Sequence, residues 1–327
     1  MNYNANDSEK KDIDKHIWAI GGGKGGVGKS LVTVCLGFWL TKLGNRVVLL
    51  DADLGGANLH TLLGIKYPRY SLNDFLNKEI SKLDEAVIDT PIDGLKLISG
   101  ASDLLNLANP KFAQKQKIIN HLNQLEVDYI LLDLGAGSSF NVLDFFLISD
   151  EKIVVLVPQF PSIQNAYGFI KNALFRNFLK LFPHDSLPYS IIRDTMSKKN
   201  EKKTKNTVTE LLREIEEIDE SAEEKLRNFL DGFKPRLITN MIKQPKDREA
   251  ANIVKIVSEK YLSIDAIDIG CIYFDSHIEK SINRLTDVIN PDFSSEMLQG
   301  SYEVVMQMMA LHRKDSKVSY SGFAKQV

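Results

Sequence analysis

A glycine-rich segment near the start of the chain carries the residue types that bind phosphate. Residues 21–31 read GGGKGGVGKSL, and residues 23–30 fit the phosphate-loop pattern of four residues between a glycine and Gly-Lys-Ser. Small residues let consecutive backbone N–H groups converge on phosphate oxygens, and the following helix adds its positive N-terminal end. The chain is therefore predicted to bind a nucleoside triphosphate through Gly23, Lys24, Gly25, Gly26, Val27, Gly28, Lys29, Ser30 and Leu31.

Three side chains of this loop have separate predicted roles. Lys29 is expected to reach the β and γ phosphates, and the Ser30 hydroxyl to bind Mg²⁺. A second lysine inside the loop, Lys24, is less common in phosphate loops. It is placed to contact negative charge that Lys29 cannot reach. The flanks favour a genuine site, because residues 17–20 suit a buried strand and residues 31–43 a buried helix.

Acidic residues follow two later apolar runs that are typical of buried strands. Residues 46–50 precede Asp51 and Asp53, and residues 129–133 end in Asp133. Ligands gather at strand ends in α/β sheets, so these acids are expected at the phosphate site. We assign Asp53 to water positioning, Asp51 to the outer shell of the metal and Asp133 to holding Mg²⁺, usually through water. Capping or turn roles are the alternative for these acids.

The remaining pattern predicts an α/β fold. Further strands are expected at residues 95–99, 153–158, 235–240 and 266–272, with helices at 111–125 and 162–181. This alternation implies a three-layer sandwich, in which helices cover both faces of a mainly parallel sheet. We expect an N-terminal tail at residues 1–15, one ATPase domain at 16–313 and a C-terminal tail at 314–327.

A charged insertion is predicted at residues 184–233. Apolar residues recur at three- and four-residue intervals from Val208 to Leu230, which predicts one amphipathic helix. Its apolar stripe either packs on the parent domain or receives a partner protein. A lysine run at residues 198–205 is either a solvated linker or a weak contact to nucleic acid or lipid headgroups.

Composition narrows the function classes. The chain has 327 residues and a net charge of −2, so no global attraction to nucleic acid or anionic lipid is expected. Residues 1–16 are polar, and no apolar run approaches the ~20 residues of a membrane span, so we expect a cytoplasmic protein. Cys35 and Cys271 form no Cys-x-x-Cys pair, and reduced buried thiols are the expected reading.

Together, residues 24–30, 51–58 and 133–137 resemble the MinD/ParA family of deviant Walker A phosphate-loop ATPases, nearest to the FlhG (FleN, MinD-like) branch of flagellar regulators. The resemblance covers residues 15–183 and 234–313. It implies an ATP-dependent homodimer in which Lys24 crosses to the phosphates of the opposite subunit and dimerisation switches the binding of a regulatory protein partner. It also implies that Asn240 contacts adenine and that Asn58 belongs to the first switch segment.

The leading hypothesis is a slow ATPase switch that uses ATP and Mg²⁺ to position or number a structure such as flagella, in the cytoplasm or at the cell pole. A ParA-like partition ATPase that binds DNA nonspecifically is an alternative, supported only by the lysine run. A metal-cluster carrier is disfavoured by the two separated cysteines, and a binding module that has lost hydrolysis is the fourth reading. Residues 1–16 lack the Asp-Gln pair common in flagellar members, and residues 317–327 offer few apolar anchors for membrane contact.

Overall fold

The computed structural model describes residues 15–53, 56–100, 112–196, 207–276 and 295–323. The predicted lysine run lies outside the described residues, as do nearly all of the predicted N-terminal tail and the last four residues of the C-terminal tail.

Eight strands form one sheet in the order β3-β4-β2-β5-β1-β6-β7-β8. Every neighbouring pair is parallel except β3 and β4, which are antiparallel. The strands are β1 (His16–Gly21), β2 (Val47–Asp51), β3 (Val87–Asp89), β4 (Leu95–Ile98), β5 (Tyr129–Asp133), β6 (Glu151–Leu156), β7 (Arg236–Ile242) and β8 (Ile267–Tyr273). The predicted mainly parallel sheet is confirmed, and β3 is a strand that the sequence pattern did not predict.

The helices connect these strands and cover the sheet. They are α1 (Lys29–Lys42), α2 (Leu59–Leu62), α3 (Leu72–Leu76), α4 (Phe112–Leu122), α5 (Phe140–Ile148), α6 (Phe160–Lys180), α7 (Leu187–Met196), α8 (Val208–Glu216), α9 (Glu220–Gly232), α10 (Glu249–Leu262) and α11 (Glu296–Phe323). Short 3₁₀ turns occupy Leu83–Ala86 and Pro245–Arg248. The last helix extends past residue 313, where the sequence predicted that a tail begins. None of the described helices combines the length and apolarity that crossing a membrane requires.

Alternate residues of the central strand belong to two separate cores. Ile17 and Ala19 of β1 pack with residues of α3 to α10, whereas Trp18 and Ile20 pack with residues of α1 and α11. This division follows from the two-residue period of a strand, which turns successive side chains to opposite faces of the sheet. The predicted three-layer sandwich is therefore confirmed.

From Val208 to Leu230, where the sequence predicted one helix, the insertion contains two, α8 and α9. The helix ends at Glu216, and Asp219 begins the next by accepting a hydrogen bond from the Ala222 N–H at 3.0 Å. An aspartate satisfies the free amides of a helix start better than it suits a helix interior, which explains the break. The predicted single helix is wrong because both helices face the same core and so preserve the apolar spacing across the break.

The apolar stripe of the insertion packs on the parent core. Leu211, Ile215 and Leu226 are buried in the same core as α6 and α10, and the rings of Phe229 and Phe178 lie 6.1 Å apart. Of the two readings left open by the sequence, packing on the parent domain is the one observed. Ile218, part of the predicted stripe, lies between the helices and is 48% exposed.

Replacing Leu226 with alanine tests whether the insertion unfolds together with the sheet. The side chain is fully buried, so Leu226→Ala is expected to lower the free energy of unfolding by about 2–5 kcal/mol in one cooperative transition. Urea denaturation followed by circular dichroism measures this change. Ile218→Ala removes an exposed apolar side chain from the same segment and is the control, with an expected change within ~0.5 kcal/mol. Two separate transitions in the wild-type protein would show that the insertion is an independent unit.

Candidate functional site

The residues of the phosphate-loop pattern form the turn between β1 and α1. Gly26 and Gly28 have left-handed backbones, with φ of 77° and 85°, and Gly28 is the residue that caps α1. Only glycine adopts this conformation without steric cost, which explains its repetition in the loop. The loop therefore presents the free N–H groups of a helix start at the carboxyl end of the central strand.

Strand register brings the acidic residues to the same edge of the sheet as the loop. Asp133 of β5 is the register partner of both Ile20 in β1 and Asp51 in β2. The carboxyl ends of three adjacent strands thus lie side by side. This is the position at which open α/β sheets bind ligands.

Lys29 is a buried cation beside these acids. Its residue is 8% exposed, and burial lowers the pKa of the ammonium, while the carboxylates of Asp133 and Asp53 oppose that shift. A buried ammonium is stable only with compensating negative charge. Lys29 therefore lies where it can neutralise an anion held by the loop.

Asp133 is the most strongly perturbed carboxyl group at this edge. Burial raises its pKa to about 7, and the nearby charges of Asp51 and Asp53 act in the same direction. A hydrogen bond with Ser30 and the charge of Lys29 oppose the rise. Asp133 also accepts a hydrogen bond from the Thr33 hydroxyl at 3.4 Å. Thr33 did not feature in the sequence prediction, although its position one helical turn after Lys29 is the signal that could have found it.

Asp51 is engaged with the backbone. Its two carboxylate oxygens accept hydrogen bonds from the N–H groups of Leu59, at 2.9 Å, and Asp53, at 3.2 Å. Burial is the main reason that its pKa rises to about 6. Asp51 thus holds the segment that follows β2 against the sheet, which is the capping role considered as the alternative.

Asp53 and Asn58 lie farther out on the same segment. Asp53 is half-buried and faces the loop that follows β5, where a Cβ on Gly135 would lie only 2.9 Å from its Oδ1 atom. Asn58 is exposed, and its amide donates to the Gly56 carbonyl at 2.5 Å. The structure therefore brings Lys29, Ser30, Asp51, Asp53 and Asp133 together, and leaves Asn58 at the rim.

Asn240 contacts the phosphate loop itself. It lies in β7 and is buried, and its Nδ2 atom donates to the carbonyl of Val27 at 2.9 Å. The two residues are 213 positions apart, so no local sequence pattern predicted the contact. Lys24, in the same loop, is exposed to solvent.

The oxygen atoms at this edge suit Mg²⁺. A serine hydroxyl and carboxylates are the hard oxygen ligands that this ion prefers. Among the described residues, no group of three or more His, Cys, Asp and Glu side chains converges to hold a metal alone.

The two cysteines occupy different environments. Cys35 is buried in α1, where burial raises the pKa of its thiol to about 12, and Cys271 is half-buried in β8. Neither forms a disulfide. A thiol with such a raised pKa is a poor metal ligand, because metals bind the thiolate.

Comparisons with known proteins identify relatives of the first half of the chain. The ParA family profile, described as NUBPL iron-transfer P-loop NTPase, matches residues 14–172. The antiactivator FleN of Pseudomonas aeruginosa is 34% identical over 157 residues, which are 47% of this chain and 55% of FleN. The flagellum site-determining protein YlxH of Helicobacter pylori is 34% identical over 162 residues, which are 47% of this chain and 52% of YlxH. The chain thus spans about half the length of these curated relatives.

A solved structure extends the likeness of fold to most of the chain. The septum site-determining protein MinD of Pyrococcus horikoshii, complexed with Mg-ADP, superposes with a TM-score of 0.62 at 20% identity. The alignment covers 91% of this chain and 97% of that protein. The phosphate loop and the acidic strand ends all lie within residues 14–172, the part of the chain that matches the ParA/MinD family of P-loop NTPases, and the fold of the chain as a whole is like that of MinD.

Proposed function

We propose that the protein is an ATPase that binds ATP with Mg²⁺, dimerises around it and hydrolyses it slowly to ADP and phosphate. The observation that carries this proposal is the buried Lys29 ammonium beside Asp53 and Asp133 at the mouth of a glycine-rich loop. Phosphoryl transfer depends mainly on positioning and on neutralising charge, and these residues supply both.

Each residue has a defined part in the proposed reaction. The loop N–H groups and the Lys29 ammonium bind the phosphates, and Asp53 orients the water that attacks the γ-phosphorus. Ser30 and Asp133 would hold Mg²⁺, with Asp51 supporting them, and the ion would supply positive charge that offsets the charge of the phosphates. The bond to the leaving ADP oxygen breaks as the bond to water forms, and the water loses its protons to the medium or to phosphate.

The exposed position of Lys24 supports the dimer part of the proposal. Lys24 extends from the loop toward solvent, whereas Lys29 is buried next to its own acids. An exposed lysine at the rim of one phosphate site is available to a phosphate on a second copy. We infer that two copies meet face to face through their strand ends, and that Lys24 of each copy contacts the phosphates bound by the other. Asn240 and Asn58 complete the nucleotide site.

The names of two relatives support a proposal for the biological role. FleN is named an antiactivator and YlxH a flagellum site-determining protein. We propose that this chain likewise positions or numbers flagella, in the cytoplasm or at the cell pole, through an ATP-dependent regulatory partner. Contact with DNA or a membrane has no support among the described residues.

Replacing Lys24 with alanine tests the dimer. Lys24→Ala is expected to bind ATP within about threefold of wild-type affinity, since Lys29 and the loop amides are intact, but to stay monomeric. Light scattering coupled to size exclusion, with ATP and Mg²⁺, measures the mass. Lys234→Ala is the matched control, because this exposed lysine precedes β7 at the opposite end of the sheet. A wild-type protein that stays monomeric with ATP would contradict the proposal.

Replacing Asp53 with alanine tests the assignment of the water-positioning residue. We expect Asp53→Ala to bind ATP and to lower the single-turnover rate of phosphate release by about 100-fold, because the attacking water loses its orientation. Asp84→Ala removes an aspartate of the 3₁₀ turn before β3 and should leave the rate unchanged. Phosphate release by Asp53→Ala at the wild-type rate would remove Asp53 from the reaction.

The raised pKa of Asp133 predicts a pH dependence of Mg²⁺ binding. As pH falls through the carboxyl pKa of about 7, Asp133 takes up a proton and loses the charge that attracts the ion. The gain in ATP affinity on adding Mg²⁺ should therefore shrink by several-fold between about pH 8 and about pH 6. Calorimetric titration with and without Mg²⁺ measures the gain. Asp133→Asn is the control, because its side chain does not titrate in this pH range. Protonation of ATP itself affects both proteins equally, so only the wild type should show the additional pH dependence that comes from Asp133.

A further inference from the structure

We infer that Asn240 positions the phosphate loop by holding the peptide between Val27 and Gly28. Its side chain thereby acts on the phosphates as well as on any base that occupies the site. The inference rests on the proposed function, since it concerns the loop that would bind triphosphate.

The first support is the hydrogen bond itself. The Asn240 amide donates to the Val27 carbonyl at 2.9 Å, and both residues are almost fully buried, with 3% and 2% exposure. A hydrogen bond shielded from water holds its partner more firmly than one that water can replace. The orientation of the Val27 carbonyl is therefore fixed from outside the loop.

The planarity of the peptide carries this constraint to the binding face. In a trans peptide, the carbonyl of one residue and the N–H of the next point in opposite directions. With the Val27 carbonyl directed at Asn240, the Gly28 N–H is directed away from β7. Gly28 caps α1, so its N–H belongs to the set of free amides that a helix start offers to an anion.

The shape of Gly28 is matched to this contact. A Cβ built on Gly28 would clash with the Nδ2 atom of Asn240, and the Cε atom of Met241 would lie 3.4 Å from it. The glycine therefore serves two purposes, since it allows a left-handed φ of 85° and makes room for the Asn240 amide.

The backbone of β7 is distorted where it delivers this side chain. Met241 is a non-glycine residue with a φ of 57°, and the register between β7 and β8 shifts between Thr239 and Ile242. Such irregularities re-aim side chains at strand ends and occur at functional sites. Asn240 lies within this distorted stretch. Its side-chain amide also has a second N–H and a carbonyl oxygen that can bind other partners.

Binding of inorganic tripolyphosphate tests the inference, because this probe has the phosphates and no base. Titration calorimetry with Mg²⁺ would compare the wild type with Asn240→Leu, which keeps the volume of the side chain and removes its donor. We expect affinity for tripolyphosphate and for ATP to fall by about tenfold each, the equivalent of one lost hydrogen bond.

Two further variants keep the experiment decisive. Thr239→Val is the matched control. The Thr239 hydroxyl, next to Asn240, is buried and has no hydrogen-bond partner within the part of the chain that the structure describes, so its loss should leave both affinities within about twofold. Asn240→Ala is a second variant that lacks the amide, and the same tenfold loss of affinity is expected for it. Thermal melting of both Asn240 variants identifies which of them is folded and can be compared with the wild type.

Each outcome has a distinct meaning. A folded Asn240 variant that binds tripolyphosphate as the wild type does, but ATP more weakly, would show that Asn240 acts on the base alone and would overturn the inference. A wild-type protein that binds neither ATP nor tripolyphosphate would instead refute the proposed function, and the inference with it.

Discussion

The site depends on a balance of buried charge at the ends of three adjacent strands. Lys29 and Asp133 are both removed from water, and each is stabilised in its charged form by the other. Burial is the main reason that the carboxyl pKa values of Asp51 and Asp133 rise, and repulsion among the neighbouring aspartates adds to the rise. An added cation relieves this repulsion, while an anion on the loop compensates Lys29. The pairing of a divalent cation with a phosphate chain satisfies both requirements together.

Much of this arrangement could be predicted from the sequence, because its physical causes are local. The run from Val47 to Leu50 is apolar because both faces of a central parallel strand are covered, and glycines mark where the loop needs unusual backbone angles. Parallel strands place their carboxyl ends at one edge, so acids that follow separate runs were expected together. The family resemblance then supplied roles that spacing alone does not give.

The rest depends on contacts between distant parts of the chain or on competition at single residues. The break at Asp219 could not be predicted from apolar spacing, because α8 and α9 bury their apolar residues in the same core. The hydrogen bond from Asn240 to Val27 joins residues that are far apart in sequence, and its acceptor is a backbone carbonyl, which no side-chain pattern reveals. The backbone bonds of Asp51 likewise became visible only once the segment after β2 had a position in space.

The edges of the sheet also have a consequence for self-association. One edge strand, β3, has three residues and is antiparallel to β4. The other edge strand, β8, pairs with β7 through shifts in register. Short and irregular margins offer few aligned backbone groups to another sheet, which guards a protein against uncontrolled strand-to-strand stacking. Two copies of this chain therefore have little opportunity to join laterally, and any ordered pairing is directed to another surface.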